Sequence, residues 1–164
     1  MKRIMNIDNF LKLNENFRKS REIDLQKLWS DFRKYKNQIP GLVNTEKWTV
    51  LQAYDEFINH VLNPIFKDKE IEFHRSINRF DGEITYGFAG RVSKIHMKTD
   101  DNKILVLVNL YEHKDTIIMT KLDFVGNYII NNNSLSTIIK VYDSDMTSME
   151  IFLSTIENVN KYNL

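Results

Sequence analysis

The chain has 164 residues, with 23 Lys+Arg against 22 Asp+Glu, 42% hydrophobic and 12% aromatic residues, and no cysteine. The charge balance argues against both an acidic nucleic-acid mimic and a basic nucleic-acid coat, and the missing thiols exclude disulfide scaffolds and Cys-ligated zinc or iron–sulfur sites. Only 5 Gly and 2 Pro exclude a collagen-like chain, and the apolar content excludes wholesale disorder.

The first 70 residues read as helices. A weak amphipathic pattern covers about 8–20, using Phe10, Leu11, Leu13 and Phe17. A clearer helix is expected over 23–37, where Leu25, Leu28, Trp29, Phe32 and Tyr35 share one face. The segment Ile39-Pro40-Gly41 breaks it and gives a helical hairpin with a short connection. The strongest helical period runs over 45–63, with Trp48, Leu51, Tyr54, Phe57, Ile58, Val61 and Leu62 on one side. Asn44 or Thr45 is its expected cap, and Pro64 is expected to end or kink it at Asn63.

From residue 71 the period falls to two. Asp81-Gly82 between alternating runs predicts a tight hairpin. With those two residues as the loop, Phe80 faces Glu83 and Glu72 faces Arg91. Ile71, Phe73, Ile77, Ile84, Tyr86, Phe88 and Val92 then share one face. Apolar positions are even up to Val92 but odd at Ile95 and Met97, so the strand must bulge or bend. The glycines of Gly87-Phe88-Ala89-Gly90 suggest the place. Thr99-Asp100-Asp101-Asn102 forms the next loop, and 103–111, apolar on both faces, reads as a central strand. Strands are expected over 116–124 and 134–142, with a short extra one at 128–130. Thr147 or Ser148 caps a last helix reaching about residue 160.

The expected fold is α+β. An N-terminal helical hairpin within 1–66 precedes a five- or six-stranded antiparallel sheet within 70–143, strongly bent and able to close into a small barrel. A helix over 146–161 ends it, and the whole of 1–164 is read as a single domain. The start carries no apolar signal-peptide core and no run is long enough to span a membrane, so a cytoplasmic setting is expected. Asn (18), Ile (19) and Lys (16) are abundant while Ala occurs twice. That is the usage of AT-rich coding sequence and points to a low-GC bacterium, or a phage or mobile element within one.

No metal-ligand spacing links His60, His74, His96 and His113, and no nucleophile motif or phosphate loop occurs. No cofactor, metal site or catalytic residue is therefore expected. Glu72 and His74 are the nearest approach to an acid–base pair, but a polar strand face is the simpler account. Asp100 and Asp101 read as turn formers rather than a cation site. The dense aromatic stripe of the helical hairpin reads as core.

Two basic tracts remain. Arg18, Lys19, Arg21, Lys27, Arg33, Lys34 and Lys36 decorate the N-terminal region, and Lys94, His96 and Lys98 alternate on one strand. Together they are the candidate partner-binding residues. The expected function is that of a non-catalytic binding protein, an accessory of a phage or mobile element. Its expected partner is a host protein or a protein–nucleic-acid complex, in the manner of an anti-CRISPR-type inhibitor of host defence. A nucleic-acid-binding module, and a small enzyme or ligand carrier with a pocket under the sheet, are the alternatives.

Overall fold

The protein is described by a computed structural model covering residues 20–129, 137–142 and 145–161. The expected helix over 8–20 lies outside the described residues, apart from Ser20, which is already in a strand. Six strands form one sheet: β1 (Ser20–Asp24), β2 (Glu70–Arg79), β3 (Gly82–Asp100), β4 (Lys103–Leu110), β5 (Ile117–Asp123) and β6 (Ile138–Tyr142). Their order is β1-β6-β2-β3-β4-β5, with every neighbouring pair antiparallel. The sheet is open. Its edges are β1 and β5, so of the two forms the bend allowed the sheet takes the open one and not the small barrel.

Helix α1 (Leu25–Tyr35) buries Leu25, Trp29, Phe32 and Tyr35 at helical spacing. It starts two residues later than the periodicity suggests, because Ser20–Asp24 pairs with β6 as the sixth strand. Asp24 both ends that strand and caps the helix, its Oδ1 accepting from Gln26 N–H at 3.0 Å. The extra strand is therefore β1; 128–130, the other candidate, supplies an isolated bridge from Tyr128 to Leu122.

Helix α2 (Val50–Phe57) begins at Thr49, not at Asn44 or Thr45, which belong to a short 3₁₀ turn. Thr49 and Gln52 form a reciprocal capping box, at 2.9 and 3.2 Å. The helix then passes through a π turn (Ile58–Leu62) into a last short helix, α3 (Asn63–Phe66). Pro64 lacks an N–H, and the wider turn just before it carries the chain past the proline without ending the helix.

Helix α4 (Ser148–Lys161) packs against α1 and α3, so all the helices lie on one face of the sheet. Trp29, Phe32, Tyr54 and Phe57 pack ring against ring at centroid distances of 4.6–5.9 Å, mostly tilted or edge-on, and the apolar core continues from them to Ile71, Val92, Val106 and Leu153. Polar groups inside it are partnered. Trp29 Nε1 donates to Gly126 O at 2.8 Å, and the Tyr54 and Tyr128 hydroxyls meet at 2.7 Å. Burial holds both phenols far above their ordinary range.

The β2–β3 hairpin keeps the expected inward face but not the expected pairing. Arg79 pairs with Gly82, and the loop is Phe80-Asp81. Gly82 closes it at φ +133°, a backbone geometry L side chains rarely adopt. The shift of two residues preserves every side chain's face, which is why alternation alone could not detect it. Two consecutive positive-φ residues, the mark of a type I′ turn, occur instead at Asp101-Asn102 between β3 and β4.

The parity switch in β3 is a bulge at Ser93, where Val92 pairs with Leu110 but Lys94 pairs with Asn109. It lies beyond the glycine pair proposed for it. Gly90 serves another purpose: a Cβ there would stand 2.7 Å from Glu112 Oε2, which accepts the Arg91 N–H at 2.9 Å. Past the bulge β2 no longer covers the edge of β3. The Asn63 side chain replaces it, donating to Ile95 O and accepting from Ile95 N–H, both at 2.9 Å.

Candidate binding surface on the outer sheet face

The bulge decides which way the cations of β3 point. Beyond Ser93, Ile95, Met97 and Thr99 face the helices opposite Val108, Val106 and Ile104, so Lys94, His96 and Lys98 face outward. Registration then builds a surface around them. Lys98 stands beside Leu105, and Leu105 stands beside Lys121 of β5. One row along, Lys103 lies between Asp100 and Asp123. Leu105 and Leu107 form the floor and are each only 8% exposed on the face opposite the helices. His96 Nε2 meets Asn109 Oδ1 at 3.2 Å, and the same oxygen accepts from Thr116 Oγ1 at 2.9 Å.

Cations crowd this surface. Burial, then the positive charges of Arg75 and Lys103, push the Lys121 ammonium below the ordinary lysine range, with Asp100 opposing. Arg75 itself, whose Nε is buried without a hydrogen-bond partner, pairs with Tyr86 on the Phe73 and Phe88 face of the hairpin and not in the outward lysine rows. Among the described residues no carboxylate forms an ion pair with Lys94, Lys98, Lys103 or Lys121. Asp123 sits in the row of Lys103, but its Oδ1 accepts the N–H groups of Val125, Gly126 and Asn127, each at 2.9 Å. Those bonds, that of Asn127 foremost, hold its carboxyl below the usual range.

The N-terminal cations belong to the helical side. Arg18 and Lys19 lie outside the described residues. Arg21 forms a two-point ion pair with the buried Glu150, one contact at 2.8 Å and the other through Nη1 and Oε1. Glu150 also accepts the Thr147 N–H at 2.8 Å, closing the expected cap of α4. Lys27 reaches Asp31 at 3.0 Å and Glu157 at 3.2 Å, and these contacts, that to Asp31 first, raise its pKa. Arg33 lies over Trp29, Lys34 over Tyr35 and Lys36 over Trp48, at 5.4, 5.2 and 5.8 Å from the ring centroids. The two basic tracts thus sit on opposite sides of the molecule and do not form one surface.

Glu72 and His74 stand on the outer face of β2, 3.4 Å apart, with His74 57% exposed. Glu72 faces Ala89, and Arg91 faces Glu70, so the expected Glu72–Arg91 pair is not made. Tyr142 donates to Glu72 at 2.5 Å instead, a bond that raises its own pKa. The cavity of about 310 Å³ between β1, α1 and α4 is lined by Arg21, Lys27, Leu28, Met146, Glu150 and Leu153, among others, and by neither Glu72 nor His74. Among the described residues no three His, Asp or Glu side chains gather as a metal site, and no helix is long and apolar enough to cross a membrane.

Sequence reading found Lys94, His96 and Lys98 but not their neighbour on β5. Lys121 joins them through the pairing of β5, which carries its own irregularity between Val106 and Leu107. The single sequence has no local mark of that register. Comparisons with protein-family models, with curated proteins and with solved structures each find no match to this chain.

Proposed function

We propose that this chain is a non-catalytic binding protein that engages a protein–nucleic-acid complex through the outer face of β3, β4 and β5. One observation carries the reading: among the described residues Lys94, Lys98, Lys103 and Lys121 share that face without ion-pair partners, while the cations of α1 are satisfied within the fold. Unpaired cations on a rigid sheet recognise an anionic partner at little ordering cost. The Asn-, Ile- and Lys-rich composition supports an accessory role in a phage or mobile element of a low-GC host, with inhibition of host defence as the activity.

Affinity capture from a low-GC bacterial lysate tests this. The tagged chain should recover a complex containing nucleic acid, the paired substitution Lys94→Glu/Lys98→Glu should lose it, and Lys34→Glu/Lys36→Glu should keep it. Recovery indifferent to charge reversal on the sheet face would overturn the proposal.

A further inference from the structure

We infer that the group Lys94, Lys98, Lys103 and Lys121 contacts the phosphodiester backbone of a nucleic-acid duplex, without reading its bases. The inference rests on the proposed binding role of the outer sheet face and specifies what that face holds.

Register sets the geometry. Lys98 and Lys121 flank Leu105 across two strand spacings, roughly 10 Å, and Lys103 stands one same-face step from Leu105, roughly 7 Å along β4. Three ammonium groups therefore ring one leucine. Such crowding is unfavourable in the free protein. The Lys121 ammonium is disfavoured by burial first and then by nearby positive charge, that of Lys103 included. An anion laid over these lysines would relieve the repulsion among them.

The charged groups facing the patch are few. Asp100 moderates Lys121, and Asp123 is engaged by three backbone N–H groups of its own loop.

Spread distinguishes a polymer from a single small anion. The cations do not converge on one point but extend from Lys121 on β5, across β4, to Lys94 on β3. A chain of phosphates matches such a row better than one phosphate does.

The floor distinguishes duplex from single strand. Proteins that hold single strands add aromatic rings on which the bases stack. Between these lysines the outward residues are Leu105, Leu107 and Ile118, with His96 beside them tied to Asn109. No Phe, Tyr or Trp stands among them. Tyr86 shares the hairpin face of Phe73 and Phe88 instead, with its hydroxyl bound by Arg79 at 3.1 Å. The surface offers charge over an aliphatic floor, which suits a backbone whose bases are already stacked inside a helix.

Fluorescence anisotropy with the full chain tests this, using a labelled DNA duplex, its separated single strand, and inorganic phosphate as competitor. The duplex should bind more tightly than the single strand. With about four phosphate contacts its affinity should fall roughly 100-fold between about 50 and 200 mM salt. Lys121→Gln and Lys98→Gln should each lower the log–log salt slope by about one unit. Lys34→Gln should leave it unchanged, and unaltered denaturation midpoints would show that the variants fold. As a readout independent of affinity, the Lys121 side-chain nitrogen followed by NMR should titrate at higher pH once duplex is added.

A single strand bound as tightly as duplex, a full salt slope in both Lys121→Gln and Lys98→Gln, or displacement by stoichiometric phosphate would overturn the inference. If the duplex does not bind while lysate capture still depends on Lys94 and Lys98, this inference fails and the broader binding role stands. If both fail, the sheet face is not the binding surface.

Discussion

Along α1 and just beyond it, Lys27 reaches Asp31 and Glu157, while Arg33, Lys34 and Lys36 lie over Trp29, Tyr35 and Trp48. Along the second half of β3, Lys94 and Lys98 point to solvent, with another lysine two strands away. The two tracts look alike in sequence. The helix, however, lays its cations beside rings and carboxylates of its own layer, whereas the sheet faces its cations away from that layer and into company of the same sign. A basic run therefore marks a binding surface only when the fold leaves it unsatisfied.

Three measurements break or sharpen that contrast. The largest effect is expected from Phe32→Ala. Phe32 is fully buried and stacks against Trp29, Phe57 and Trp48, two of which carry a cation. Its truncation should destabilise the protein by about 3–5 kcal/mol in urea titration. A loss below 1 kcal/mol would show that the aromatic layer does not anchor the helix face.

The direct comparison is Arg21→Ala against Lys98→Ala. Removing Arg21 leaves the buried Glu150 carboxylate without its ionic partner and should lose about 2 kcal/mol, less than for a fully buried pair because Arg21 is partly exposed. Removing Lys98 should change stability by less than about 0.5 kcal/mol. Equal losses would erase the distinction between a structural and an available cation.

The smallest effect concerns Asp123, which shares the row of Lys103 but is hydrogen-bonded to its own loop. Asp123→Ala should lose about 1 kcal/mol, and Asp123→Asn, which keeps an acceptor, less. The folded protein holds this carboxyl below its ordinary value of 3.8, so its contribution is complete above that pH and is lost as pH falls through the lower folded value. Stability measured from pH about 5 down to 2 should show an acid-dependent loss that Asp123→Asn reduces. An identical acid profile in the variant would count against the loop's hold on Asp123.

Legibility followed the range of the interactions. The buried stripe of α1, the cap at Thr147 and the change of parity before Ile95 are local patterns, and all were readable. The Thr49-to-Gln52 capping box was present as a local signal too, but the longer apolar period upstream masked it. β1 was obscured because its five residues bury a single side chain, Ile23, among the apolar ones and run straight into α1. The hairpin register slipped by two because either pairing puts the same residues inside. The site was half legible: Lys94, His96 and Lys98 share one strand, while Lys121 arrives from another two strands away.

Local chemistry in the sequence determined the elements themselves: amphipathic helices where apolar residues recur at 3.6, strands where they alternate, and a bend where alternation changes phase. Tertiary structure decided which charges are satisfied. Arg21 and Glu150 lie 129 positions apart, and Lys98 and Lys121 share a face only through the pairing of both with β4. Charge pairing depends on distance in space, which residue spacing does not encode across separate elements. The near-zero net charge of the chain therefore coexists with a concentrated positive surface on one side of the sheet.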